Sequence, residues 1–351
     1  METTHAEVTV HVIIPARNEE DCIGRCLDSL VRQQGIAFQI AVVDDGSTDD
    51  TRSIAESFPG VRVLAADEPK PGVMGKCNAL ITGAAGSTAK WLLFTDADTV
   101  HYPGSLGAAV KEAEERRVDL LSYSPEQEVK SWWELAVMPL VFADLVRTYP
   151  PEKVNDPAHS AVAANGQYIL VLREVYEQLG GHKTVASKIL EDIELAKIFK
   201  ESHHKIWFRQ GKGLVRTRMY RTFHAMWEGW TKNLALLFPQ PLFLAARRGL
   251  EFLAISVFLI TGTIVLLQKD LRGTFALLAP GIALYLHFLR RIQKAHFPWK
   301  ANLMSFLGLP LFMSLLIRSY LHTVRGELTW KGRKYVQSAP GAAPASSIET
   351  E

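Results

Sequence analysis

The chain has 351 residues, 48% of them hydrophobic, and 39 Lys+Arg against 37 Asp+Glu give a net charge of +2. That balance excludes the basic footprint of a nucleic-acid binder, and 3 cysteines are too few for a disulfide scaffold. The length suits one large domain plus an appendage: residues 1–230 pattern as soluble α/β, while from about residue 234 long apolar blocks alternate with short basic interruptions.

Met1 to Glu7 is polar, and the first apolar run, Val8 to Ile14, is short and stops at Pro15. This is no secretory signal, so the N-terminal half is expected in the cytoplasm. Val8–Ile14 reads as a buried strand, followed by a helix over Glu19–Arg32 with Cys22, Ile23, Cys26, Leu27 and Leu30 on one face. Cys22 and Cys26 lack the further ligands of a metal site and read as small buried hydrophobes. Phe38–Val43 is a second strand, and Ser47 is expected to begin a helix, with Asp50 completing an acidic capping box. Val61–Ala65, a helix over Lys76–Ala85 and a strand over Lys90–Thr95 continue the alternation, which predicts a mainly parallel, doubly wound sheet.

Ligands of such sheets bind beyond the C-terminal strand ends, where the sequence places Pro15-Ala16-Arg17-Asn18-Glu19, Asp44-Asp45-Gly46 and Asp96-Ala97-Asp98. Asp96 and Asp98 together can hold a divalent cation that grips a diphosphate, although an isolated acidic pair also suits a turn or helix cap. No G-x-G-x-x-G follows the first strand, and Gly75-Lys76 lacks the remainder of a P-loop, which argues against a dinucleotide enzyme or an ATPase. Asp44 can accept hydrogen bonds from a base or ribose. Asp49 reads as turn or cap chemistry, and Asp45 stays open between the two roles.

Four motifs in this order resemble the family 2 inverting glycosyltransferases of the GT-A fold: Ile13 to Glu20, Val43 to Asp49, Gly75 to Leu80 and Phe94 to Thr99. The resemblance implies a GT-A doubly wound mixed sheet, Rossmann-like, with C-terminal transmembrane helices. It implies that Pro15, Ala16, Asn18, Glu19, Asp44, Asp45, Lys76 and Asp96 surround the nucleotide-sugar donor, and that Asp98 with Asp96 holds Mg2+ or Mn2+. An inverting transfer needs a base remote from Asp98, and Ile189 to Leu195 matches the family's E-D motif, making Asp192 the expected base with Glu191 its neighbour. Two adjacent carboxylates repel, which raises one pKa.

Further along, Asn165 is either a sugar or acceptor contact or a turn residue before Gly166, and Gly181 and His182 match the small loop before the base. His203 and His204 read as solvent-exposed. The Q-x-x-R-W motif of processive members is missing, and Arg216, Arg218, Trp227 and Trp230 stand in that region as candidates for the diphosphate or acceptor. The run is closest in look to glycosyltransferases of carotenoid and hopanoid pathways. The implied activity is transfer from a nucleotide-sugar, uridine donors ahead of guanosine donors, to the hydroxyl or carboxylate of a membrane lipid acceptor. The alternatives are a polyprenyl-phosphate sugar transferase and a catalytically silent scaffold.

The expected organisation is a GT-A domain over 1–233, a membrane region over 234–337 with two or three hydrophobic segments (about 250–267, 274–289 and 302–320), and a disordered tail over 338–351. Arg247 and Arg248 before the first two segments, and Arg290, Arg291, Lys294 and Lys300 after them, place both ends of that hairpin in the cytoplasm. Gly308-Leu309-Pro310 interrupts the third block, which is therefore expected to form a re-entrant or interfacial hairpin that returns to the cytoplasm rather than a span. Trp132 to Val146 and Leu236 to Leu244 are either interfacial or core. The resulting location is a multi-pass protein of the inner membrane with its catalytic domain cytoplasmic.

Overall fold

The computed structural model describes residues 8–330 and 333–335; the Ala-, Pro- and Ser-rich tail from Ser338 lies outside them. The chain runs β1 (Val10–Ala16), α1 (Glu20–Val31), β2 (Phe38–Asp44), α2 (Thr51–Glu56), β3 (Val61–Ala65), α3 (Gly75–Ala84), β4 (Trp91–Thr95) and β5 (Thr99–His101). It continues through α4 (Ser105–Arg116), β6 (Leu120–Ser124), β7 (Glu126–Gln127), α5 (Trp132–Thr148), α6 (Pro151–Val154), β8 (Tyr168–Leu172), α7 (Arg173–Gln178) and α8 (Glu191–Glu201). Then follow β9 (Ile206–Gln210), β10 (Val215–Thr217), α9 (Phe223–Leu237), α10 (Pro241–Leu267), α11 (Leu271–Gln293), α12 (Trp299–Arg325), β11 (Leu328–Trp330) and β12 (Arg333–Tyr335). Contacts divide the chain into two compact units, one of residues up to Glu128 with Tyr149–Met219, the other of Val129–Thr148 with residues from Tyr220 onward.

The first unit is built on the sheet β3-β2-β1-β4-β8-β6-β9, parallel throughout except where β8 runs antiparallel between β4 and β6. Its central strands are apolar runs because both faces are covered. On one face Ile23, Cys26, Leu27 and Leu30 of α1 pack on Val10, Val12 and Ile14. On the other, Ala79 and Leu80 of α3 pack with Ile13, Val43 and Phe94. Pairing of Ala16 with Asp44, Ile13 with Phe94 and Thr95 with Tyr168 brings the C-terminal ends of β1, β2 and β4 to one edge with the start of β8. Cys22 and Cys26 are buried, as expected.

Two local expectations fail here. The second helix begins at Thr51 rather than Ser47, because the Ser47 hydroxyl accepts from Asn18 N at 3.1 Å and its amide donates to Asp44 Oδ1 at 3.1 Å. The capping role passes to Asp49, whose Oδ1 accepts from Thr51 N at 3.1 Å. His204 is not simply solvent-exposed, since its Nδ1 lies 3.0 Å from Asp119 Oδ2.

Among the described residues, the elements of the second unit are helices apart from the small β11–β12 pair. Three of its helices, α10, α11 and α12, are long and apolar enough to cross a membrane by length and composition. The third corrects the expected re-entrant hairpin, for α12 runs unbroken through Pro310. Gly308 is not a turn residue: a Cβ there would collide with the Ala136 carbonyl of α5, so the glycine serves close helix contact. Trp132–Val146 falls in α5, which buries Ala136, Val137, Leu140 and Val141.

Ion pairs tie α5 to the hairpin of α10 and α11. Arg248, 3% exposed, pairs with Asp144 of α5 and donates to Glu251 Oε2 at 2.7 Å; Arg291 donates to the same Glu251 oxygen at 2.8 Å and lies 3.4 Å from Asp144. These two arginines, read from sequence as topogenic, are neutralised inside the unit. Removing one partner of a buried pair strands the other charge at a cost of about 3–5 kcal/mol. Asp144→Ala should therefore lower thermal stability in detergent sharply, and the double change Asp144→Leu with Arg248→Met should restore most of it.

Candidate active site

The first two strand ends are stitched to each other before any ligand is considered. Asn18 adopts a left-handed conformation (φ 51°), and its Oδ1 accepts from Thr48 N at 2.9 Å. Arg17 Nη1 donates to the Asp45 carbonyl at 2.8 Å, and Glu19 N donates to Thr51 Oγ1 at 2.7 Å. Asp44 and Asp45 are buried, and Asp44 Oδ1 accepts from Ser47 N. Pro15, Ala16, Asn18, Glu19, Asp44 and Asp45 thus line one rigid edge.

At the next strand end Lys76, in the first turn of α3, places Nζ 2.9 Å from Asp96 Oδ1 and 2.9 Å from Glu191 Oε1. Burial opposes its charge, but Asp96, Glu191 and Asp192 outweigh that and hold the ammonium well above the usual lysine range. Gly166 admits this arrangement, since a Cβ there would sit 3.0 Å from Lys76 Nζ and 3.4 Å from Asp192 Oδ2. Its amide donates to Asp192 Oδ2 at 2.8 Å, while Ile193 N donates to Oδ1 at 2.9 Å. Glu191 and Asp192 open α8, where the helix dipole favours negative charge. Burial, then the Glu191 charge, pushes Asp192 up to about 6.

Asp98 is pushed up to about 8 by burial and by the charges of Asp96 and Glu19. Its carboxylate is met by Gln167 Nε2 at 3.2 and 3.3 Å, and Gln167 also donates to Thr217 Oγ1 at 3.2 Å. Below the acidic loop, Thr95 Oγ1 donates to the Gln167 carbonyl at 2.8 Å and Thr99 Oγ1 to the Asp96 carbonyl at 2.7 Å, with His101 Nε2 3.2 Å from both hydroxyls. Burial lowers His101 to about 3, so it is neutral. Gln167, Thr95, Thr99, His101 and Thr217 were not among the expected site residues. The sequence signal for Gln167 was its place in the run from Ala163 to Tyr168, which resembles the family's acceptor-side strand; in the structure it immediately precedes β8.

No cluster of three or more His, Cys, Asp or Glu among the described residues forms a metal cage. The donor set of Asp96 and Asp98 still fits Mg2+ or Mn2+, which take one or two carboxylates and complete their shell with phosphate oxygens and water. A half-buried carboxyl raised like Asp98 is one that a cation would hold ionised.

The remaining expected residues are dispersed. Asn165 sits in the turn before β8: its amide donates to Ser122 Oγ at 2.8 Å and its Oδ1 accepts from Gln167 N at 3.0 Å. Gly181 has φ 55°, and any Cβ there would strike the Tyr176 ring. His182 is 1% exposed, with Nδ1 3.0 Å from the Tyr176 hydroxyl and its ring edge-on to Phe94, and burial lowers it to about 4. Arg216 Nε lies 3.1 Å from Glu128, and Arg216 and Arg218 line a cavity of about 220 Å³ with Arg25 and Asp98. In the second unit Trp227 stacks on Phe223, whereas Trp230 is 2% exposed between Tyr220 and Phe142 and presents no ring face to a sugar.

Residues 11–180 match the family model described as Glycosyl transferase family 2. A 4,4'-diaponeurosporenoate glycosyltransferase of Staphylococcus aureus (strain USA300) is 28% identical over 341 residues, covering 92% of this chain and 87% of its own. Among solved structures, the mannosyltransferase PcManGT from Pyrobaculum calidifontis, in complex with GDP-Man and Mn2+, is 18% identical with a TM-score of 0.47, covering 91% of this chain and 87% of that one.

Loss of an outer-shell partner of a metal ligand costs about 10–100-fold in metal affinity. If Asp98 holds Mn2+, Gln167→Ala should weaken its binding, read by electron paramagnetic resonance titration, by about that factor. Unchanged binding would remove Gln167 as the group that positions Asp98.

Proposed function

Because residues 11–180 form a family 2 glycosyltransferase domain, we propose that this glycosyltransferase moves a sugar, with inversion, from a nucleoside-diphosphate donor to the hydroxyl of a membrane lipid. The observation that carries the reading is the convergence of Asp96, Asp98, Lys76, Glu191 and Asp192 at one sheet edge. Relationship to a carotenoid glycosyltransferase and a unit with three long apolar helices support a lipid acceptor of carotenoid or hopanoid type at a cell membrane.

In this reading the edge from Pro15 to Glu19, with Asp44, receives the nucleoside. Asp98 and Asp96 hold a divalent cation, which when bound supplies positive charge to the diphosphate. Arg216 and Arg218 line a cavity together with Asp98 and add cationic donors to the leaving group. Asp192 takes the proton of the acceptor hydroxyl as its oxygen attacks the anomeric carbon, and the nucleoside diphosphate departs with the bonding pair. Two amides, from Gly166 and Ile193, fix the carboxylate while it acts. Lys76 shields it from Asp96 and Glu191. A hydroxyl suits this site better than a lipid phosphate, because it brings a proton for Asp192 and no charge to face two carboxylates.

The test incubates membranes containing the protein with labelled UDP- and GDP-sugars, Mg2+ or Mn2+ and lipid extract, then identifies labelled lipid. Asp192 works as the carboxylate and its pKa is raised to about 6, so kcat/KM should fall as pH drops through about 6. Asp192→Asn should cost about 100–10,000-fold. Full turnover in Asp192→Asn, or activity indifferent to chelator, would contradict the assignment.

A further inference from the structure

Length and composition allow each of α10, α11 and α12 to span a membrane, but their packing separates them. Within the unit only 11% and 17% of the apolar windows of α10 and α11 are buried, against 44% for α12. Moreover, α12 meets the hairpin through Phe306 and through Met313, the latter near its own middle, next to Arg248 and Glu251 of α10. The Phe306 ring lies 5.2 Å from Phe252, 5.6 Å from Tyr285 and 5.8 Å from Phe288, and a Cβ on Gly249 would fall 2.7 Å from Met313 Cε.

That part of the hairpin is where Arg248, Glu251, Arg291 and Asp144 gather. A charge at the bilayer centre costs at least about 2.5–3.5 kcal/mol, so a cluster of four belongs at the polar boundary, with the apolar stretch from Phe252 to Leu267 reaching inward from it. The middle of a spanning helix lies at the bilayer centre. The middle of α12 lies level with the charges.

We infer that α12 does not cross the membrane but lies across the open end of the α10–α11 hairpin, in the headgroup layer, with α5 and α9 beside it. The chain then crosses the bilayer twice. Contacts of α5 agree, for Ala136 abuts Gly308 and Phe142 lies 5.8 Å from Phe297, at the opposite end of the same contact, while Asp144 joins the charge cluster.

The partner of this surface is a lipid interface, and its side chains suit one. Leu303, Leu307, Ile317 and Leu321 are 42%, 70%, 41% and 42% exposed at spacings that form one stripe along α12, fit for the acyl boundary. Lys300 lies 5.9 Å from the Trp299 ring and Arg318 lies 5.7 Å from Trp227, pairs that favour headgroup level. From Trp299 to Arg318 is roughly 28 Å of helix, near the hydrocarbon thickness, so these pairs alone would also suit a span. The level of Phe306 and Met313 decides against it.

The test places nitroxide labels on single cysteines at Leu303, Leu307, Ser314 and Leu321 of the full chain, with Cys22, Cys26 and Cys77 replaced, in phosphatidylglycerol–phosphatidylcholine vesicles. Oxygen and nickel-chelate accessibility should report one shallow depth for all four, with a label at Ile260 of α10 much deeper. A depth that peaks near Leu307 and Ser314 and falls toward both ends would make α12 a span and overturn the inference, as would labels that are water-exposed throughout. Protease cleavage of terminal tags on the native chain gives an independent reading: both tags should be cut from one side, and tags on opposite sides would overturn it.

Discussion

The ammonium of Lys76, held between Asp96 and Glu191, is the constraint on which the candidate site depends. Asp96 ends a strand and Glu191 begins a helix almost a hundred residues later, so one cation joins the end that would hold a donor to the end that would take a proton. Without it, Asp96, Asp98, Glu191 and Asp192 would face one another with little but hydrogen bonds between them. The side chain is 35% exposed, so water screens part of these attractions, and their worth lies in geometry more than in stability.

The same crowding separates the carboxyls by role. Asp98, half-buried and hydrogen-bonded by a neutral amide, is raised furthest, and a cation there would hold it ionised. Asp192 is raised less, because two backbone amides and Lys76 stabilise its charge, which leaves it a carboxylate at neutral pH with appetite for a proton. In the second unit a comparable problem is solved with arginine: Arg248 and Arg291 offset Asp144 and Glu251 among apolar helices. Guanidinium suits that place because it stays charged and engages two carboxylates at once.

Much of the sheet was legible because doubly wound strands are continuous apolar runs and their polar ends stand out. That contrast puts the strand ends at Ile14, Val43 and Thr95, and the structure ends them at Ala16, Asp44 and Thr95. Gln167 was not, because its meeting with Asp98 depends on β8 inserting antiparallel beside β4, a pairing between residues some seventy positions apart. Trp230 carried no mark distinguishing a core aromatic from a surface one. Pro310 was read as a break, yet a long helix already packed on α5 tolerates one missing amide. Ser47 had the pattern of a cap, and tertiary hydrogen bonds to Asn18 and Asp44 claimed it first.

If Lys76 and Glu191 set the proton affinity of Asp192 in opposite senses, removing each must move it in opposite directions. The direct measurement is the acid limb of kcat/KM against pH for wild type, Lys76→Met and Glu191→Gln, assayed with the labelled lipid product. The account predicts an upward shift of the limb in Lys76→Met and a downward shift in Glu191→Gln. A limb that stays in place in both, or moves the same way in both, would contradict Asp192 as the base and Lys76 as its counter-charge.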